Sequence, residues 1–314
     1  MEQSTTRAFQ KVLKGFSFTK ALSFSEDFAQ TRFLKKFEEP NRDKEADLKR
    51  EAWDSWLAFD CNLPELGLLP REWYIARHAL QRIGQYKRTE IPFPQGSEFS
   101  PTRGHNSIEA RLCESDWTCT YDNWDEFVTV AYTHRGLKYA VKKRFESWFA
   151  KRFPHEPISA AHTMLYRRFS ADKTVSGVGK RIFEFKLSCV VTLTHGSRFS
   201  TVPKNNKVRR PINVEPFGNI LTQRSIGIWI RKEIKRLYGV DLNTLAQEHR
   251  MKLKSDVYAT IDLKNASDSI SMELVKFLLP KRLTDILEKT RSPMILGPDG
   301  NYHNIKKVSS MGNG

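Results

Sequence analysis

The stretch Tyr258-Ala-Thr-Ile-Asp262-Leu-Lys-Asn-Ala-Ser-Asp268-Ser-Ile-Ser271 constrains this chain more than any other. An apolar run ends on a carboxylate, and a second carboxylate follows shortly after it. Read as a β-strand from Val257 to Ile261, the run carries Asp262 to its carboxyl end, where α/β-type sheets place ligands. Acidic side chains set out in this way suit a hard divalent cation, which takes oxygen donors. Each carboxylate also has a plainer role. Asp262 can be a turn residue, and Ser267, Asp268 or Ser269 can cap the helix that ends at Leu279 before Pro280.

With 314 residues, seven Trp and twenty Phe, the chain can build two domains or one large one with a packed core. Its net charge of +16 is a strong bias, and such a surface attracts polyanions, nucleic acid foremost. Cys61, Cys113, Cys119 and Cys189 match neither a zinc site nor a disulfide framework, so reduced thiols are expected. No run of eighteen apolar residues and no signal-peptide core appear, which argues against a membrane span or export. Basic residues interleaved with Phe9, Phe16 and Phe18 read as a helix docked on the body, with a membrane-surface or partner helix as the alternative.

Along the chain, residues 43–59 read as a helix with Trp53, Trp56 and Leu57 on one face. Pro70 reads as the first residue of a second helix, running to about Ile83. Residues 91–105, rich in Pro and Gly, read as a surface loop or linker. Trp124 to Phe149 is one long helical pattern with a break near Gly136. The alternation of Phe183, Phe185, Leu187, Cys189, Val191 and Leu193 predicts a half-buried strand. Phe217 to Tyr238 is helical, with cations in its last turns and Gly239 as its cap. Met294 to Ile305 reads as a hairpin turning at Pro298-Asp-Gly300. Helices followed by a few strands make this an α+β chain.

Three constellations carry chemistry. The first is the carboxylate pair. The second is Val202-Pro-Lys204-Asn-Asn-Lys207-Val-Arg209-Arg210-Pro, four cations fenced by prolines that keep the segment extended. Cations held there would neutralise a polyphosphate, although a solvated basic loop gives the same pattern. Glu215, just beyond, is placed to pair with one of the arginines. The third is Ser310-Met-Gly312-Asn313-Gly314, where glycines permit close backbone approach. In addition, Lys138, Lys142, Lys143, Arg144, Lys151 and Arg152 form a basic helical stretch around Phe145, Trp148 and Phe149.

In this order, the blocks Thr201-Val-Pro-Lys-Asn-Asn-Lys207, Ala259-Thr-Ile-Asp-Leu263 with Ala266-Ser-Asp-Ser-Ile-Ser271, and Ser309-Ser-Met-Gly-Asn-Gly314 resemble the replicases of the leviviruses, positive-strand RNA bacteriophages. Gly239-Val-Asp-Leu-Asn243 and Arg291-Ser-Pro293 fit the same family, and the resemblance covers about residues 197–314. It implies an RNA-directed RNA polymerase of right-hand fold. Residues 1–90 would form an N-terminal helical region, 91–250 the fingers, and 251–314 the start of the palm. By this likeness Asp262 is the metal ligand, with the Leu263 carbonyl beside it, and Asp268 senses the ribose. Lys204, Lys207 and Arg210 lie over the triphosphate, and Ser310, Gly312 and Asn313 meet the template and nascent base pair. Arg209 departs from the acidic residue that family members tend to carry there.

The implied cofactors are two Mg²⁺ about 4 Å apart, with Mn²⁺ as an alternative. The implied partners are a single-stranded RNA template, nucleoside triphosphates and host translation elongation factors, in the cytoplasm of an infected bacterium. The Gly-Asp-Asp turn that completes the metal site in this family does not occur in these residues, so the chain by itself is expected not to polymerise RNA. The competing expectation is a non-catalytic basic RNA-binding protein.

Overall fold

The computed structural model describes residues 44–67, 69–87, 112, 116–170, 175–204, 208–253, 257, 266–308 and 310. The expectations for the Phe9 region, the 91–105 loop, Cys113 and the strand leading to Asp262 fall outside these residues, apart from Val257, an 83% exposed turn residue. The chain divides into two compact units, one made of Met1–Leu57 with Ser200–Ile212 and the other of Ala58–Phe199 with Asn213–Gly314.

The first described helix, α1 (Glu45–Cys61), keeps the stripe expected of it, with Trp53 and Trp56 buried and their rings stacked 5.8 Å apart. In the smaller unit the end of β3 (Gly196–Pro203) and the start of β4 (Arg209–Val214) are neighbouring strands. The Lys204 N–H donates to the Val208 carbonyl at 3.0 Å.

The larger unit holds the main core. Helix α2 (Arg71–Leu80) starts after Pro70, which sits at the cap with extended ψ of 154° rather than inside the helix. Strand β1 (Trp117–Thr120) precedes α3 (Trp124–Thr133) and α4 (Arg135–Arg152). The expected break therefore falls at His134, whose extended backbone ends one helix while its ring accepts from the Leu137 N–H to start the next. Helices α5 (Ile158–Ser170) and α6 (Val175–Ser188) then lead into β2 (Val191–Thr194), parallel to β1.

The strand predicted from Phe183 is thus a helix until Ser188. Its period of two comes from burial on two sides. Phe183 and Leu187, four residues apart, enter the core around Trp117 and Phe127, while Ile182 and Phe185 pack against Phe145 and Leu165. Two apolar stripes on one helix mimic alternation.

Helix α7 (Phe217–Tyr238) runs through the centre and ends as expected on Gly239, whose φ of 69° is the left-handed cap that a residue with a side chain resists. Asn219 fixes its start: its Oδ1 accepts from the Thr120 N–H at 2.9 Å, and its Nδ2 donates to Thr120 Oγ1 and the Thr290 carbonyl. After α8 (Leu245–Lys252) and a 3₁₀ turn at Ser267–Ser269 come α9 (Met272–Leu278) and α10 (Lys281–Thr290). Strands β5 (Met294–Leu296) and β6 (Tyr302–Asn304) form the predicted hairpin. β5 lies parallel to β3, so close at Gly196 that a Cβ there would stand 1.9 Å from the Met294 carbonyl oxygen. Helices with small sheets make the chain α+β.

Candidate functional site

After β6 the chain turns back as a short strap, Ile305 to Val308, and nearly every backbone group of the strap is tied. The Ile305 N–H donates to the Pro293 carbonyl, and the Val308 N–H to the Ile270 carbonyl at 2.8 Å. The Lys306 carbonyl accepts from the Met272 N–H at 2.8 Å. Arg291 spans two carbonyls, giving Nη1 to Lys307 at 2.8 Å and Nη2 to Ile305 at 3.0 Å. The remaining two donors, the N–H groups of Lys306 and Lys307, point at the two oxygens of Asp60, at 2.9 and 3.0 Å. Asp60 is 1% exposed, so these hydrogen bonds are made away from water, where leaving a donor unpaired is costly.

The strap delivers two side chains to Asp268. Lys307 Nζ lies 3.3 Å and Ser310 Oγ 3.1 Å from the same carboxylate oxygen, Oδ1. No described residue hydrogen-bonds to Oδ2, and the Asp268 side chain keeps 11% of its surface exposed. The Lys307 side chain is 1% exposed, and its ammonium lies over the Phe59 ring, 5.9 Å from the centroid. Burial pulls its pKa below the ordinary lysine value, while the charges of Asp268 and Asp60 pull it back up. Asp268 does not cap the following helix. That role falls to Ser271, whose hydroxyl accepts from the Leu274 N–H at 3.1 Å, and this leaves Asp268 free to turn inward.

Of the residues singled out from sequence, Asp268 and Ser310 therefore meet. Asp262, Leu263, Lys207, Gly312 and Asn313 lie outside the described residues. In the smaller unit, Lys204 and Arg210 are exposed. Arg209 turns the other way, as the alternation of a strand requires. Its Nε donates to Thr201 Oγ1 at 2.6 Å, and its Nη1 lies 3.5 Å from Glu45. Among the described residues no three His, Cys, Asp or Glu side chains gather where one metal ion could sit.

Comparison with known proteins fixes the setting. The family model for the RNA replicase beta-chain matches residues 142–314, more than half of the sequence. This chain belongs to that family. Its strap, its carboxylate pair and its basic segment all fall within the matched region. Among curated relatives it is similar to the RNA-directed RNA polymerase subunit beta of Enterobacteria phage SP, 38% identical over 151 residues, which are 44% of this chain and 26% of the relative. The subunit of the same name from Escherichia virus Qbeta is 43% identical over 117 residues, covering 36% and 20%. The RNA-directed RNA polymerase beta chain of Escherichia phage MS2 is 40% identical over 125 residues, covering 39% and 23%. The matched stretch thus spans about a quarter or less of each relative's length.

Lys307 of the strap and Asp60, which anchors it, escaped the sequence reading, although each left a trace. Asp60 lies seven positions after Trp53 and four after Trp56, on the buried stripe of α1. Lys307 lies two positions after Ile305, on the inward side of an extended segment. Glu215, expected to pair with a basic-stretch arginine, is wholly buried and accepts from Ser292 Oγ at 2.6 Å. Burial raises its pKa to about 7, and the arginine charge acting against that rise is Arg291's. In α4 the aromatics Phe145 and Phe149 are core, as expected, and Lys142 and Lys143 reach Glu146. No helix among the described residues is long and apolar enough to cross a membrane.

Proposed function

We propose that this chain carries the nucleotide-selecting part of an RNA-directed RNA polymerase of right-hand fold, with fingers and the first elements of a palm. The observation that carries the proposal is Asp268: one carboxylate oxygen is held by Lys307 and Ser310, and the other accepts no hydrogen bond from any described residue. A ribose 2′-hydroxyl is a donor that suits it, and a deoxyribose offers nothing in its place. The names of the relatives and the match of the family model support the same reading.

In the proposed reaction the 3′-hydroxyl of a growing RNA attacks the α-phosphorus of a nucleoside triphosphate. A P–O bond forms there, the bond to the β-phosphate oxygen breaks, and pyrophosphate leaves with the electron pair while the hydroxyl gives up its proton. Lys204, Lys207 and Arg210 would neutralise the triphosphate, and Ser310, Gly312 and Asn313 would face the template and nascent pair. Asp262, with the Leu263 carbonyl, would hold Mg²⁺, or Mn²⁺ in its place; an aspartate and a carbonyl fit such ions as hard oxygen donors. Bound there, the ions would supply neutralisation of charge at the reacting phosphate. A single-stranded RNA is the proposed template and the cytoplasm of an infected bacterium the proposed setting, with host translation elongation factors as partners by likeness to the family.

The test is templated RNA synthesis with Mg²⁺ and four nucleotides on a C-rich template. In the RNA-synthesising enzyme, Asp262→Asn removes all product and leaves RNA affinity unchanged or slightly higher. Product retained by that variant would remove Asp262 from the metal site, and binding of RNA with no templated product from any form of the protein would point instead to a basic RNA-binding protein without chemistry.

A further inference from the structure

We propose that Lys307 and Asp60 are positioning residues for sugar discrimination: Asp60 fixes the strap, and the strap holds Lys307 so that Asp268 presents only its second oxygen to the nucleotide. The inference rests on the reading of Asp268 as the ribose acceptor and extends it to two residues outside the motifs that suggested that reading.

A carboxylate joined to its chain by rotatable bonds offers two equivalent oxygens. It can select a hydroxyl at a fixed point only if something removes that freedom. Ser310 alone would not, because a hydroxyl turns to follow its acceptor. The ammonium of Lys307 is better suited. It is fully enclosed, lies over the face of Phe59, and is close to Oδ1 of Asp268. It cannot swing out to solvent, so Oδ1 stays turned toward it and Oδ2 toward the open side.

The position of Lys307 is in turn set by its own backbone. Its N–H goes to Asp60 and its carbonyl to Arg291, and an isolated bridge pairs it with Ser271. Asp60 accepts from two successive donors of the strap, Lys306 and Lys307. A shift of the strap by a fraction of an ångström would move Lys307 directly, and Ser310 follows it three residues further along the chain. The last residue but one of α1 thereby acts on Asp268 through two intermediates, without touching the nucleotide.

The experiment is equilibrium binding of ATP and 2′-deoxy-ATP, each with Mg²⁺, to the 314-residue chain and its variants. The wild type prefers ATP by about tenfold or more, the value of one hydrogen bond to a charged acceptor. Asp268→Asn brings the ratio close to one. Lys307→Met brings it to about twofold while 2′-deoxy-ATP binds as before, and Lys307→Arg, which keeps the charge, restores most of the preference. A merely structural lysine would weaken both nucleotides equally. If the wild type shows no preference, or Asp268→Asn keeps it, the ribose reading itself fails. If Asp268→Asn loses the preference and Lys307→Met retains it, that reading stands and the positioning role is overturned. Should circular dichroism show Lys307→Met unfolded, Asp60→Asn decides. A folded variant with a reduced ratio supports the role, and one with the wild-type ratio overturns it.

Discussion

Two stretches of this chain concentrate charge and treat it in opposite ways. Around the strap the charges of Lys307, Asp60 and Asp268 face inward: Lys307 is enclosed, Asp60 and Asp268 are buried, and each has named partners, while the neighbouring Lys306 side chain is exposed. From Lys204 to Arg210 the described cations Lys204 and Arg210 face solvent, and only Arg209 is spent, on Thr201 of the neighbouring strand and on Glu45. Enclosed charges are costly to move, so they hold a geometry. Exposed charges are cheap to move and screened by salt, so they attract without specifying. A nucleotide-handling protein needs both kinds, and the difference gives each region its own signature under mutation.

The sharpest break would come from Asp60. Replacing it by Ala leaves the Lys306 and Lys307 N–H groups unpaired in the interior and removes a carboxylate whose charge acts on the Lys307 ammonium. The expected cost is about 3–5 kcal/mol, read from the shift of a urea unfolding curve. Asp54→Ala, on the exposed side of the same helix, is the control and should barely move the curve. Equal effects from the two would dissolve the distinction.

Next in size is Glu215, buried charge of another kind. Its carboxyl is raised from 4.5 to about 7, chiefly by burial, with the Ser292 and Gln223 hydrogen bonds and the Arg291 charge acting the other way. The folded state therefore holds this proton where the unfolded chain has released it. Below pH 4.5 both states are protonated, so the raised value penalises neither. As pH rises from 4.5 to about 7 the folded protein loses stability, and above that the loss is complete at about 3 kcal/mol. Glu215→Gln should flatten this part of the profile, measured by thermal unfolding across that range. A slope unchanged by the substitution would assign it to other groups.

Much of the fold could be read from the residues, and the failures share one cause. Helix α7 and its Gly239 cap, the hairpin at Pro298–Gly300 and the Trp stripe of α1 each follow from local rules that tertiary packing does not disturb. Helix α6 was misread because it is buried on two sides, so that its two stripes together alternate like a strand. The cap expected at Ser267, Asp268 or Ser269 falls instead on Ser271, because Ser and Asp both cap well. Only the distant strap, by claiming Asp268, decides between them. The same reasoning explains the partial view of the site. Asp268 and Ser310 carried motif signals, whereas Asp60 and Lys307 showed only as polar residues at inward positions, and their partners lie 246 or 247 and 39 residues away in sequence. A period can say that a charge points inward, but not what it meets.

The smallest expected effect on stability tests the other side of the comparison. Lys204→Gln with Arg210→Gln removes two exposed cations for which no ion pair is recorded among the described residues, and the thermal midpoint should stay where it is. If the pair contacts phosphates, each contact contributes through the release of a condensed counterion. RNA affinity should then fall at low salt by the same factor for unrelated sequences, and the slope of log affinity against log salt should lose about 0.7 per cation for a single strand, about 1.4 for the two. Arg209→Gln gives the opposite pattern, a lower midpoint with little change in slope, because its guanidinium is already committed to Thr201 and Glu45. If Arg209→Gln changed the slope as much as the double variant does, exposure would not separate attracting charges from structural ones on this strand, and the division between the two regions would rest on the strap alone.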